Sequence, residues 1–349
     1  MKVMDMTNAF GSFISSLAGL NDIIDVKKWP SAGIVRGPKR NIAWRVLDSK
    51  FFGVPQQRKR LYVLAGGKSF FPENIIFENC RNIEYNYPKC ELVFEKDGHK
   101  FEVFREYTDC LYSAYGTKWN GNAAAYNGSL FVVQDNRIRR LSPLECERLM
   151  GFPDNYTNIS GAKRTQRYKA IGNSWAVPVI NWIGRRIIDY KYDNLNLSNY
   201  QSIKKYKHNF PNCTYWNFDK NIIKIDNNIS LNCTYMPEKP VFTNISEIIS
   251  PDNTEQIYIS PVGCNGIIRR SEERGIAINS RLKEILLKTV SKLSSEEIEK
   301  RSRVQKRGRL NAIEKSTNIE ISTIKTKHQD KASIDNISSN EVYTQLTMF

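Results

Sequence analysis

Leu61-Tyr62-Val63-Leu64-Ala65 is an unbroken apolar run, and Gly66-Gly67 closes it. The run predicts a buried strand, and the residues up to about Gly67 read as α/β. From there to about Asn136, short apolar segments alternate with turns. Leu92-Val93-Phe94 and Phe101-Glu102-Val103-Phe104 flank Asp97-Gly98, which predicts a hairpin. Asn and Gly then crowd into residues 116–122, which read as a loop. A helix follows: Ser142 is its N-cap, Pro143 sits at the first helical position, and Glu145 completes a capping box. Gly151 ends it, and Phe152-Pro153-Asp154 turns the chain. A second helix, roughly Val177 to Tyr190, carries Val177, Ile180, Ile183 and Ile187 on one face. Beyond Asn194 the chain is Asn-rich and reads as irregular to about residue 255. Helical spacing returns at Leu282, Ile285, Leu286 and Val290, and Ser294 with Glu297 forms a further capping box. The polar tail from about Asn311 is expected to be disordered.

Composition adds a partner. Lys and Arg total 52 against 36 Asp and Glu, a net charge of +16, which points to a polyanion such as nucleic acid. Seven cysteines without CxxC pairing fit a reducing cytosol, so a cytoplasmic protein is expected. Three histidines, none near a cysteine pair, argue against a zinc site or a His-based triad. No apolar run reaches the length of a membrane span, and the start of the chain does not read as a signal peptide.

Three blocks carry the chemistry. The first is Phe51-Phe52-Gly53-Val54-Pro55-Gln56-Gln57-Arg58-Lys59-Arg60-Leu61, preceded by Ala43-Trp44-Arg45-Val46-Leu47-Asp48. The second runs from Arg140-Leu141-Ser142-Pro143 to Gly151-Phe152-Pro153-Asp154, and the third is Arg167-Tyr168-Lys169-Ala170-Ile171-Gly172-Asn173-Ser174-Trp175-Ala176-Val177-Pro178. In this order, with a turn-rich insert between the first two, they resemble the Gln-x-Arg-x-Arg block and the last two motifs of DNA cytosine-5 methyltransferases. A weaker resemblance, through Ser246-Glu247-Ile248-Ile249 and Tyr258 to Arg270, is to a C-terminal module of some family members.

The resemblance implies a fold and a set of roles. The fold would be α/β: the C-terminal part of a Rossmann-like domain dependent on S-adenosylmethionine, with an inserted, mainly β target-recognition domain. Residues 1–67 would end the catalytic domain, 68–138 would form the recognition domain, and 139–192 would return to the catalytic domain. Residues 193–310 would be an accessory module and 311–349 the tail. The family's enzymes flip cytosine out of duplex DNA and add a cysteine thiolate to carbon 6, and carbon 5 then takes the methyl group. A guanidinium at O2 stabilises the charge pushed into the ring. By resemblance Arg60 takes that role, Arg58 holds backbone beside the flipped base, and Gln56 braces both. Gly172, Asn173 and Ser174 resemble residues that contact the methionine end of the cofactor. A plain tight turn before the Val177 helix is the alternative for them. Lys118, Trp119, Asn120 and Asn122 in the insert, and more weakly Arg140, are candidate DNA contacts. For the insert residues, simple loop formation is an equal alternative.

The chain departs from the family too. No proline precedes a cysteine, so the catalytic Pro-Cys pair is absent, as is the Phe-x-Gly-x-Gly cofactor loop. Glu73-Asn74-Ile75 imitates the proton-donating Glu-Asn-Val block but lies after Gln56-x-Arg58-x-Arg60, in the wrong order. Cys146 reads as a packed helical thiol. The expectation is therefore the DNA-recognising back half of a split enzyme, inactive alone, with an N-terminal-half partner supplying the nucleophile. The alternative is a non-catalytic DNA-binding protein. A sheet cut open between two chains would leave bare edges, so the chain alone is expected to be poorly soluble.

Overall fold

The computed structural model describes residues 8–26, 28–80, 88–115, 126–190, 201–225, 230–252 and 257–302. Lys118, Trp119, Asn120 and Asn122, with the loop around them, and the tail from Asn311 lie outside the described residues. Residues 1–298 form one unit, and the remainder forms a second that is described only to residue 302.

Helix Ala9–Ala18 (α1) ends on Gly19 at φ 83°, a left-handed stop suited to glycine. A hairpin follows, Ala32–Arg36 (β1) and Asn41–Asp48 (β2). Every residue of β2 is buried, because both of its faces are covered. On one face Ile42 and Trp44 pack with Phe10, Ile14 and Trp29 from α1 and its connection. On the other, Ala43 and Leu47 pack with Ile75 and Ile76 of the short helix Glu73–Ile76 (α2) and with Val179 and Ile183. Lys59–Gly66 (β3) pairs antiparallel with β2 over its whole length.

The expected buried strand at Leu61–Ala65 is thus an edge strand. Of these five residues only Tyr62 is buried, and Ala65 is exposed. Its alternation is still regular: Tyr62 and Leu64 join the α2 side, Leu61 and Val63 the α1 side.

The insert between the first two blocks contains Glu78–Cys80 (β4), then Val93–Lys96 (β5) and His99–Val103 (β6), which form the expected hairpin around Asp97-Gly98. Asp97 at φ 50° and Gly98 at φ 76° are both left-handed, the geometry a two-residue hairpin turn requires. Phe131–Gln134 (β7) and Arg137–Arg140 (β8) complete a four-stranded antiparallel meander. One face packs on Pro143–Leu149 (α3) and Arg164–Asn173 (α4), which supply Leu149, Tyr168 and Ile171. Helix Val177–Ile188 (α5) is shorter than expected, and its last turn leaves Ile187 and Ile188 exposed. Only Val179 and Ile183 of that helix are fully buried.

The described residues of the stretch expected to be irregular form regular elements. It contains Lys207–Phe210 (β9), Cys213–Phe218 (β10), Ile222–Lys224 (β11), Ser230–Asn232 (β12) and the short helix Ile245–Ile248 (α6). β10 pairs antiparallel with β1 from Ala32↔Phe218 to Arg36↔Thr214, giving a five-stranded sheet in the order β3-β2-β1-β10-β9. Cys213 and Tyr215 are buried on one face of β10 and Trp216 and Phe218 on the other, so both of its faces are covered. β12 pairs with both β11 and β4. Helices Pro261–Glu273 (α7) and Ser280–Val290 (α8) pack on the second face of the meander through Cys264, Ile267, Leu282 and Leu286. The chain is mixed α/β, with helices on both faces of its main sheet. All pairings between its named strands are antiparallel.

Candidate active site

The three sequence blocks meet at the turn between β2 and β3. Asp48 ends β2, and its carboxylate accepts the Arg58 backbone N–H at 2.9 Å. The Ser49 hydroxyl donates to the Gln56 carbonyl at 2.7 Å. Gly53, at φ 85°, makes the turn between them. Gln56 is fully buried. Its amide nitrogen donates to the Leu149 carbonyl (3.1 Å) and to Met150 Sδ (3.0 Å), and its oxygen accepts from Leu111 N–H (3.0 Å). Gln56 thereby ties the first block to the end of α3 in the second and to the insert. Its bracing role acts on backbone, with no hydrogen bond to either arginine.

Arg58 is only 5% exposed and reaches the third block. One terminal nitrogen donates to the Leu111 carbonyl (3.0 Å) and Cys110 Sγ (3.0 Å). The other donates to the carbonyls of Ser174 (2.7 Å) and Gly172 (3.3 Å). Burial pushes its pKa below the ordinary arginine value, with the Cys110 contact opposing. A guanidinium stays charged at this depth, and Arg58 clamps through its two terminal nitrogens, its Nε having no partner among the described residues. The Val177 N–H donates to the Met150 carbonyl at 2.9 Å, closing the contact between the second and third blocks.

Arg60 has the opposite setting. It is exposed, donating to its neighbour's carbonyl (Lys59, 2.9 Å) and to Cys110 Sγ (3.1 Å). It shares a face of β3 with Tyr62, whose hydroxyl burial pushes up to about 12. Tyr62 meets the ring of Trp175 edge-on at 6.3 Å, and Trp175 is 65% exposed. Arg60 and Trp175 therefore form an accessible rim beside buried Tyr62 and the buried Arg58 clamp. Sequence reading missed Asp48, Cys110 and Trp175. Asp48 and Trp175 lay within the matched segments, whereas Cys110 carried no sequence signal.

Gly172 and Asn173 form the last turn of α4 and Ser174 is its C-cap, so the tight-turn alternative does not describe them. A Cβ on Gly172 would stand 2.6 Å from the Ser113 nitrogen, so the close approach there is made by the Tyr112–Ser113 backbone. The Ser174 hydroxyl donates to the Ile171 carbonyl. Of the three, Asn173 is the side chain exposed to solvent.

Other charges are structural. Arg139 is fully buried and forks onto both Glu145 oxygens (2.9 and 2.8 Å), with Gln134 and the Arg140 and Ser250 carbonyls taking its other donors. Glu145 also caps α3 and accepts the Ser250 N–H. Arg140 donates to the Tyr115 carbonyl at 3.1 Å. Buried Glu73 pairs with Arg36, and burial raises its pKa against that pairing. Cys146 is buried, and burial raises its pKa well above the ordinary thiol value. Among the described residues no group of three or more His, Cys, Asp or Glu could hold a metal ion, and no helix is long and apolar enough to cross a membrane.

A family model described as C-5 cytosine-specific DNA methylase matches residues 82–189, which include the second and third blocks; Gln56 to Arg60 precede the match. The DNA N-6-adenine-methyltransferase of Escherichia phage P1 is 25% identical over 327 residues, covering 52% of this chain and 43% of that protein. Type II methyltransferase M.SsoII of Shigella sonnei is 29% identical over 181 residues, covering 42% and 44%. M.Sau3AI of Staphylococcus aureus is 37% identical over 95 residues, covering 26% and 23%. The chain spans less than half the length of each of these relatives. The solved Entamoeba histolytica methyltransferase EhMeth is 18% identical with a TM-score of 0.28, covering 43% of this chain and 54% of that one.

Proposed function

Because the chain belongs to the C-5 cytosine-specific DNA methylase family, we propose that it supplies DNA recognition and part of the active site of a DNA (cytosine-5-)-methyltransferase. The setting would be a restriction-modification or phage system. The junction of Gln56 and Arg58 carries this reading: the buried Arg58 guanidinium ties the first block to the insert and the third block, Gln56 ties it to the second, and Arg60 is left at the rim, where a flipped base could meet it. Arg60 would hold O2 of the cytosine and stabilise the charge that builds there. Arg58 would fix the backbone on which Arg60 and Asn173 stand. S-adenosylmethionine, when bound, would supply the methyl group, and Asn173 would contact its methionine end. The nucleophilic thiolate and the proton donor would come from outside this sequence, from an N-terminal-half partner. The free edge of β3, beside Arg60 and Trp175, is the surface such a partner would extend.

The test is tritiated-methyl incorporation into duplex DNA, with and without a front-half partner, followed by nucleoside analysis. Activity is expected only with the partner, and the product is expected to be 5-methylcytosine. N6-methyladenine as the product, or activity from the isolated chain, would overturn the proposal. In the reconstituted enzyme, Arg60→Ala should lower turnover by roughly 10²–10³ while duplex binding changes little. A second reading, a stand-alone DNA-binding protein, draws support from β10, which closes the β1 edge within the chain.

A further inference from the structure

Thr108 to Leu111 of the insert run as a strap beside the first block. The Thr108 N–H donates to the Pro55 carbonyl and the Gln57 N–H to the Thr108 carbonyl, both at 2.8 Å. Asp109 turns its carboxylate back to the insert, where Arg105 donates to one oxygen at 2.8 Å and Asn127 to the other at 2.7 Å. Leu111 is held from the block: its N–H donates to the Gln56 side-chain oxygen and its carbonyl accepts from Arg58, both at 3.0 Å. Cys110 stands between these fixed points. Its thiol donates to the Leu111 carbonyl at 3.5 Å, and its sulfur accepts from one terminal nitrogen of Arg58 at 3.0 Å and one of Arg60 at 3.1 Å.

Arg60 needs such a point. Its side chain is exposed, and its other acceptor is the carbonyl of adjacent Lys59. A long, exposed arginine has large rotamer freedom, so a guanidinium anchored only to its own neighbour spreads over many positions. Cys110 anchors it from a separate part of the chain. We infer that Cys110 is a positioning residue: the strap from Thr108 to Leu111 holds the Arg60 guanidinium where the flipped cytosine meets it, so the seating of the insert sets the placement of a charge used in the reaction. This rests on the functional reading above, in which Arg60 stabilises charge at O2. The chemistry of the anchor suits that task. A thiol sulfur is a weak, neutral acceptor, so it orients the guanidinium without cancelling its charge, as a carboxylate in the same place would. Among the described residues, Lys59 and Cys110 use two of the five guanidinium donors, leaving the others for the base.

The tether is tested on the full chain alone, by nuclear magnetic resonance with isotope-labelled arginine, the Arg60 signal being assigned by its loss in Arg60→Ala. The Arg60 Nε–H should be ordered in the parent, mobile in Cys110→Ala, and ordered again in Cys110→Ser, whose hydroxyl accepts in the same place. Equal order in the parent and in Cys110→Ala would overturn the tether. In the enzyme reconstituted with a front-half partner, Cys110→Ala should lower kcat by roughly 10- to 100-fold, the scale of a misplaced reacting group, with little change in KM for duplex DNA. Cys110→Ser should restore most of that loss, and Cys90→Ala, at the other half-buried cysteine, should change neither constant. Placed in the Arg60→Ala background, Cys110→Ala should cost nothing further; additive losses would mean that Cys110 acts apart from Arg60 and would overturn the positioning role. Near-normal turnover of Arg60→Ala itself would refute the functional reading and the positioning role with it, while the arginine spectra still decide the tether.

Discussion

Arg58→Lys isolates the clamp from the charge. Arg58 donates to four acceptors that face it from two sides, Cys110 and Leu111 on one and Gly172 and Ser174 on the other. A lysine keeps the charge but ends in one compact ammonium, which cannot span both sides. At least one buried carbonyl then loses a charged donor, and such hydrogen bonds are worth about 1.5–3 kcal/mol each. With one or two lost and some relaxation, the expected destabilisation is about 2–4 kcal/mol, roughly a 30- to 1,000-fold larger unfolded fraction. Arg60→Lys, at an exposed position, should stay within about 0.5 kcal/mol. Urea titration of both variants measures the difference as a shift in midpoint at constant slope. Because Ser174 adjoins Trp175, the near-ultraviolet signal of the Tyr62–Trp175 contact should weaken in Arg58→Lys only. If the two variants unfold at the same urea concentration, Arg58 does not join the blocks and the clamp is wrong.

Two further outcomes follow from buried polar groups. Burial raises the Asp48 pKa above 3.8, so its stabilising contribution is greatest at low pH and is lost as pH climbs above that value through the folded pKa. Asp48→Asn keeps an acceptor for the Arg58 N–H, so it should flatten that decline and match or exceed the parent melting temperature at neutral pH. A loss at neutral pH as large as that of Asp48→Ala would refute this. Truncation after residue 192 removes β10 and the Thr234, Met236 and Ser250 carbonyls that buried Arg45 and Arg139 require. Soluble yield and proteolytic resistance should collapse, whereas a chain cut after residue 302 should retain both.

Local signals were legible where a few adjacent residues fix the geometry. Asp97-Gly98 demanded two left-handed residues, and Ser142 with Glu145 demanded a capping box; both stand as read. The three blocks were legible as chemistry, and they meet through Gln56, Arg58 and the Val177 N–H. What stayed hidden was non-local. No window of sequence reports that β3 is an edge strand, because its partners are set by β2 on one side alone. The β10 strand was masked by the Asn-rich sequence around it, although both of its own faces are covered. Glu145 read as a cap, yet its larger task is to neutralise Arg139, a partner six residues back whose burial depends on β8, α3 and Ser250 together.

These non-local contacts revise how a divided enzyme would assemble. The sheet was expected to be open, with its other strands in a missing half. Instead β10 covers one side of the β1–β2–β3 unit, and helices cover both faces of β2. Residues 193–298 are thus part of the same folded body as the blocks, through β10 on β1, β12 on β4, and α7 and α8 on the meander. Among the described residues the main sheet ends at β9 on one side and at β3 on the other, and beside the outer edge of β3 stand Arg60, half-buried Leu64 and exposed Trp175. An edge with unpaired N–H and C=O groups is a template for one more strand. The same edge carries the side chain assigned to the base. Docking and completion of the active site would then be a single event, so the isolated chain could fold with Arg58 clamped and Arg60 in place, yet stay without turnover until a partner adds its thiolate at that seam.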